Sequence, residues 1–302
     1  WHARSRGNVG RIELTLDAEP ETLWRMYVAG ELDVLNLWML PPEIVHAARH
    51  YYPDEYVSGA QLLTHYLVFN THVPPFDDVR VRRAMALSVD RRQLARTTLA
   101  GALAPATGGF VPPGMPGHVP GAALETDVEQ ARALLSEAGY PDGRGFPAVE
   151  CVMRAGRAHL VEPLLAQCRE TLGIDVHAHE LSQLDLLDRG PGSSALGFGY
   201  WVPEYPDPDC FLRLCLEADV ADSGWWPAKY DELVTEARAL TTQEERLARY
   251  RDAEEVLAEE VPILPVLYGR VHLLVKPWVT HFASSPVKQR FWHQAVKGDQ
   301  GR

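Results

Sequence analysis

The sequence predicts an α/β fold with about two folding units, and three observations carry that expectation. Residues from about 148 to 180 read as strand, helix, strand, a βαβ unit whose right-handed crossover makes its strands parallel. Strand-like alternation and helical periodicity take turns along most of the 302 residues. No segment repeats at a fixed period, which removes solenoids and propellers.

The elements follow in order. Ile12, Leu14 and Leu16 alternate with polar residues, the pattern of a half-buried strand. Residues 20–30 read as a helix with Pro20 in the first turn and Gly30 at the end. A strand at 32–37, a short helix at 41–49 and a strand at about 61–70 come next. Two helices follow, capped by Asp77 or Asp78 and by Asp90, with Val81, Ala84, Met85, Leu94 and Ala95 turned inward. Residues 101–125 hold five prolines and six glycines and form a long loop of the kind that is usually functional. Thr126-Asp-Val-Glu129 reads as a capping box opening a helix that stops at Gly139. After the βαβ unit comes a strand at 195–201, then helices at 230–240 and 243–260, the latter with Glu and Arg on its outer face, and a Pro-bracketed strand from 262 to 275.

Composition narrows the function. With 29 Lys+Arg against 41 Asp+Glu the net charge is -12, which repels a polyanion, so nucleic acid is not an expected partner. The arginines at 80, 82, 83, 91, 92 and 96 sit among acids at helical spacing and read as a solvated face. No window reaches the 18 or so apolar residues that would span a bilayer. The chain opens Trp1-His-Ala-Arg without an initiator methionine or an apolar export segment, so it is expected to be a piece of something longer, with any export signal upstream. The four cysteines, at 151, 168, 210 and 215, form no Cys-x-x-Cys pair and are expected to pack.

The segment from Gly199 to Leu212 carries the most chemistry. It sets Tyr200, Trp201 and Tyr205 beside Glu204, Asp207 and Asp209 and uses three prolines to stiffen the backbone. An aromatic floor holding an acid suits capture of a ligand ammonium, since ring faces and carboxylate both attract positive charge. The bland alternative is a buried strand followed by a Pro-rich turn. Arg154 and Arg157, after the strand ending near Met153, are placed to grip a ligand carboxylate bidentately, or else are two surface arginines on a glycine-containing loop. Tyr268 and Trp225 are candidates for a cleft wall or for the core.

Catalysis is not expected. His177 and His179 share one strand face without a third metal ligand at useful spacing, and His46, His50 and His65 read as scattered over different elements. No nucleophile elbow, phosphate-cradling loop or Cys-His signature is present, so no cofactor and no metal are expected.

Many of these segments, in this order, resemble the extracellular solute-binding proteins of family 5, which feed oligopeptide and dipeptide ABC importers. The matching pieces are Tyr66-Leu-Val-Phe-Asn70, Pro75-Phe-Asp-Asp-Val-Arg-Val-Arg-Arg-Ala84, Ser88-Val-Asp-Arg91, Pro105-Ala-Thr-Gly108, Pro112-Pro-Gly-Met115, Leu134-Leu-Ser-Glu-Ala-Gly-Tyr140, Leu172-Gly-Ile174, Tyr205-Pro-Asp-Pro208 and Val261-Pro-Ile-Leu-Pro265. The resemblance implies a periplasmic-binding-protein-like (type II) lobe with part of the other lobe and the N-terminal portion missing. Residues 1–68 would belong to the first lobe, 69–269 would form the second, and 270–302 would return to the first. It implies a monomeric substrate-binding component, periplasmic or otherwise extracytoplasmic and possible to anchor as a lipoprotein, that takes peptides or a related small solute to ABC permease subunits in the membrane. The family's Trp-x-x-acid motif falls on Trp201 and Glu204; the family usually has Asp at the second position, where it pairs with the amino terminus of a bound peptide, and the longer Glu implies a shifted or different ligand. A ligand-sensing domain of a cytoplasmic transcription regulator is the alternative with the same fold.

Overall fold

The computed structural model describes residues 8–16, 19–37, 40–98, 101–189, 194–213, 224–282 and 295–298. Two compact units emerge, one from residues 1–61 with 270–302 and the other from residues 62–269. The chain passes between them inside two strands, β2 (Tyr56–Phe69) and β7 (Ile263–Val275).

The first unit holds helices α1 (Pro20–Val28) and α2 (Pro42–Tyr51) and the three-residue strand β1 (Val34–Asn36), which pairs antiparallel with β7 from Val34↔Val275 to Asn36↔Leu273. Their apolar faces meet in a core of Tyr27, Leu35, Leu37, Val45, Ala48 and Leu274. Lys276 is drawn into this unit by the Tyr27 ring, 4.0 Å below its ammonium, and by Glu55 at 3.1 Å. The strand expected over 11–16 is not formed. Residues 8–16 make no ladder among the described residues, and Leu14 and Leu16 stand 69% and 75% exposed, because alternation builds a strand only where a neighbouring strand accepts its hydrogen bonds.

In the second unit β7 adjoins β2 and also takes the two-residue β3 (Ala104–Pro105) antiparallel, and the sheet continues from β2 through β6 (Leu196–Trp201) and β4 (Val149–Arg154) to β5 (Val176–Leu181). The predicted βαβ unit is β4, α6 (Ala158–Leu172) and β5, with β4 and β5 parallel from Val149↔Val176 to Arg154↔Leu181. β6 lies parallel to β4 on its other side and antiparallel to β2. Helices α3 (Val79–Ser88), α5 (Val128–Glu137) and α6 cover one sheet face and share a core that includes Phe69, Met85, Leu135, Cys151, Leu164, Cys168 and Phe198. Asp78 caps α3 by accepting from the Arg80 amide at 2.8 Å, and Asp90 does the same for Gln93 in α4 (Arg91–Gln93), a single turn that precedes a π-helical segment, Leu94–Thr98. The cap of α5 is Asp127, accepting from Gln130, and the Thr126 hydroxyl turns instead to the Val89 carbonyl, so the expected capping box is not made. A helix at Gln183–Arg189, α7, precedes β6, while α8 (Ala228–Ala239) and α9 (Gln243–Glu260) follow it.

The arginine run divides. Arg80, Arg92 and Arg96 are exposed as expected, whereas Arg82 and Arg91 are buried. Arg82 donates to the carbonyls of Glu260 and Phe76 at 2.6 and 2.7 Å, and Arg91 to those of Pro265 and Leu124, both at 2.8 Å. A rigid fork of donors ties segments far apart in sequence together where carbonyls would otherwise be orphaned. Cys151, Cys168 and Cys210 are free and buried, in keeping with packing; Cys215 lies outside the described residues.

Candidate ligand site at the end of strand β6

Period-two alternation decides which side chains of β6 share a face. Leu196, Phe198 and Tyr200 point to one side, and Gly197, Gly199 and Trp201 to the other. The register sets Tyr200 opposite His65 and Trp201 opposite Thr64. Gly199 lies opposite Tyr66, whose ring a Cβ there would touch at 3.5 Å, an ordinary van der Waals contact. The single aromatic floor expected from the sequence is therefore split, with Tyr200 and Trp201 on opposite faces of one strand.

On the Tyr200 face, the Arg157 guanidinium lies 4.9 Å from the ring centroid and His65 lies 5.8 Å away. Arg157 is buried, while Arg154, at the carboxyl end of β4, is exposed. The two arginines therefore do not form a matched pair. Glu180 of β5 accepts the backbone amides of Arg157 and Ala158, both at 2.8 Å, and caps α6. His65 is a residue that sequence reasoning did not select for this site. It is buried, its Nδ1 has no hydrogen-bond partner among the described residues, and burial, aided by the charges of Arg157 and His159, pushes its pKa down to about 3. It is a neutral imidazole with a spare nitrogen. The signal available in the sequence was its place inside an almost continuously apolar strand, buried on both faces.

On the other face, Trp201 is half-buried, and its indole Nε1 is fully buried with no acceptor among the described residues. Beyond it the chain turns through Pro203, Pro206 and Pro208. Of the turn's three carboxylates, two are engaged within the protein. Asp207 accepts both terminal nitrogens of Arg246, at 2.9 and 3.0 Å; burial works to raise its pKa, but the Arg246 bonds prevail and hold it below the usual carboxylate range. Asp209, 6% exposed, accepts from Arg213 at 3.1 Å and from the hydroxyls of Tyr250 and Tyr205 at 3.0 and 3.2 Å. Glu204 is the exception. Its side chain is exposed and makes no ion pair among the described residues, while its amide donates to Cys210 Sγ at 3.3 Å. Tyr205 is 40% exposed, with its hydroxyl turned back to Asp209.

Tyr268 is placed in the core instead of on a cleft wall. It is 3% exposed, and its hydroxyl donates to the Gly109 carbonyl at 2.6 Å. Trp225 is likewise buried, its ring 5.0 Å from Tyr230. His177 and His179 of β5 are held by carboxylates, His177 by Asp175 and His179 by Glu150 at 3.4 Å. No cluster of three or more His, Cys, Asp or Glu side chains among the described residues is arranged to hold a metal.

Among the described residues, Glu204 has no ion pair and the Trp201 Nε1 no acceptor; the two stand three residues apart, Trp201 at the end of β6 and Glu204 in the turn that follows. Residues 1–222 match the family model described as bacterial extracellular solute-binding proteins, family 5 Middle. The chain belongs to that family. Among family 5 relatives, it is 31% identical over 271 residues to the probable deoxycholate-binding periplasmic protein YgiS of Escherichia coli (strain K12), covering 86% of this chain and 50% of that protein. It is 29% identical to the periplasmic oligopeptide-binding protein OppA of the same organism, over 84% of this chain and 48% of OppA. The fold matches the unliganded open form of the murein tripeptide binding protein MppA with a TM-score of 0.74 and 26% identity, covering 87% of this chain and 52% of MppA. The chain spans about half the length of these relatives. Among the described residues no helix is long and apolar enough to cross a membrane.

Proposed function

We propose that this chain is the second lobe, with part of the first, of a family 5 receptor that binds peptides or a related small solute and delivers them to a membrane permease by lobe closure rather than by chemistry. In this reading residues 62–269 supply the second lobe, and residues 1–61 with 270–302 supply part of the first. The relatives named above, one for oligopeptides and one for deoxycholate, favour small-solute cargo and leave its class to be decided at the site.

The observation that carries the reading is the contrast within one turn. Asp207 and Asp209 are neutralised inside the protein, while Glu204 stays open three residues after a Trp201 whose N–H has no acceptor among the described residues. A buried donor without a partner costs free energy that a ligand oxygen returns on binding. Glu204 would then take a ligand ammonium, with Tyr205 beside it, while Arg157, Tyr200 and the exposed Arg154 serve the far end of the cargo. Calorimetry on the full-length protein with di- to pentapeptides tests this. Glu204→Gln is expected to weaken peptides with free amino termini by roughly tenfold or more, the cost of a lost charge-assisted bond. Equal losses for free and N-acetylated peptides would refute the role of Glu204.

A further inference from the structure

Helix α2 carries a second, separate constellation. The sequence sets His46 and His50 four residues apart, and the helix brings them to one face, opposite the buried Val45 and Ala48. Both side chains are exposed, their rings are parallel to within 1°, and the ring centroids are 6.4 Å apart. Neither imidazole makes a hydrogen bond or ion pair with any described residue; the ring of Tyr51 meets His50 edge-on at 4.7 Å. The reading of these histidines as scattered is corrected by this helix, since only His65 lies on a different element.

The two histidine pairs of the chain have opposite settings. His177 and His179 lie on a strand and are each engaged by a carboxylate. His46 and His50 lie on a helix, and their ring nitrogens are open to solvent. Imidazole is a good ligand for borderline metal ions, and two imidazoles one helical turn apart chelate a single ion. With metal–nitrogen bonds of about 2.0–2.1 Å, each ring centroid would lie ~3.2 Å from the ion, so a tetrahedral pair needs centroids ~5 Å apart. Rotation of two exposed side chains about χ1 and χ2 closes the remaining gap of roughly 1 Å without moving the helix.

We propose that His46 and His50 form a bidentate surface site for a borderline transition-metal ion, Cu²⁺, Ni²⁺ or Zn²⁺, with the other coordination positions filled by water or an outside donor. The site is independent of the solute reading, because it shares no residue with the β6 turn. Binding through neutral imidazole competes with protons, so the affinity falls in acid.

The test is calorimetric titration of the protein, free of any histidine tag, with each metal chloride alone. One saturable site per chain is expected, and either His46→Ala or His50→Ala should weaken it by about 10²-fold, the loss of the second arm of a chelate. The double variant should be little worse than either single one, and His177→Ala/His179→Ala should leave the site intact. Mg²⁺ and Ca²⁺, which favour oxygen donors, should not compete. Both residues are exposed, so circular dichroism should show folded variants, and the metal should raise the melting temperature of the parent alone. Affinity unchanged in His46→Ala or His50→Ala, loss of the site in the His177→Ala/His179→Ala variant, or no saturable binding below millimolar metal would each overturn the proposal.

Discussion

Two glutamates in Pro- and Gly-rich surroundings have opposite fates in this chain, and the difference separates architecture from recognition. Glu204 sits in the proline turn after β6 with its carboxylate in solvent. Glu254, on α9, is 2% exposed and accepts the consecutive amides of Phe110 and Val111 at 2.8 and 2.7 Å. Those amides belong to the long glycine- and proline-rich loop, whose backbone has no helix or ladder of its own to satisfy it there. One buried carboxylate thus anchors the loop. Gly109 permits the approach, since a Cβ at that position would stand 2.1 Å from Glu254 Oε2. A carboxylate buried against two backbone amides works for the fold, and one left open on a locked turn is available to a ligand.

The largest expected effect therefore falls on stability and on Glu254. Glu254→Ala strips two buried amides of their acceptor and should cost about 3 kcal/mol, which lowers the melting temperature by roughly 6–12 °C. Gly109→Ala should do comparable damage by pushing the same carboxylate aside. In the double variant the two losses should add to less than their sum, because both act on one contact; strict additivity by denaturant unfolding would break the comparison. The pH dependence has a definite sign. Burial raises the Glu254 pKa from 4.5 to about 7, against the lowering effect of the Val111 and Phe110 amides. Between those values the native state holds a proton that the unfolded chain has released. This contribution is full below about pH 4.5 and is lost as the pH rises through 7. Melting curves of the parent minus those of Glu254→Gln, taken across that range, should show the decline, and a difference that grows with pH would contradict it.

How much of this was legible in the sequence depends on whether the deciding force is local. The βαβ unit, the caps at Asp78 and Asp90 and the packing cysteines were readable, because periodicity and capping act within a few residues. Glu254 was not singled out, since α9 carries many charges and reads as a helix with Glu and Arg on its outer face. Its signal was its place between Tyr250, Ala253 and Leu257 on the buried side. Arg82 and Arg91 escaped for a related reason. Their partners are backbone carbonyls far along the chain, such as Glu260 and Pro265, and no local pattern announces a long-range carbonyl. In the site, the aromatic and acidic residue types were visible, but the strand register that sends Tyr200 and Trp201 to opposite faces was not.

A smaller effect is expected where recognition and architecture meet. Asp207→Asn replaces a half-buried bidentate partner of Arg246 and should cost about 1–3 kcal/mol. It should also weaken solute binding, because the turn that presents Glu204 loses its anchor. Arg246→Ala should give the same pair of losses. Glu204→Gln, by contrast, should leave the melting temperature within about 1 °C of the parent, as exposed substitutions without partners do. A Glu204 variant that melts like Asp207→Asn would return that carboxylate to the architectural class.

The smallest expected effect is the most discriminating. Trp201→Phe removes an N–H that is buried without an acceptor among the described residues, so the free protein loses no hydrogen bond and sheds the cost of desolvating that donor. Ring packing is largely kept, and stability should stay within about 0.5 kcal/mol of the parent or rise slightly. Solute binding should still weaken by roughly threefold to tenfold, the worth of one neutral hydrogen bond. Unchanged stability with weaker binding marks the indole nitrogen as a donor held for cargo. A clear loss of stability with unchanged binding would mean that the nitrogen serves the fold, and Trp201 would then join Glu254 on the architectural side.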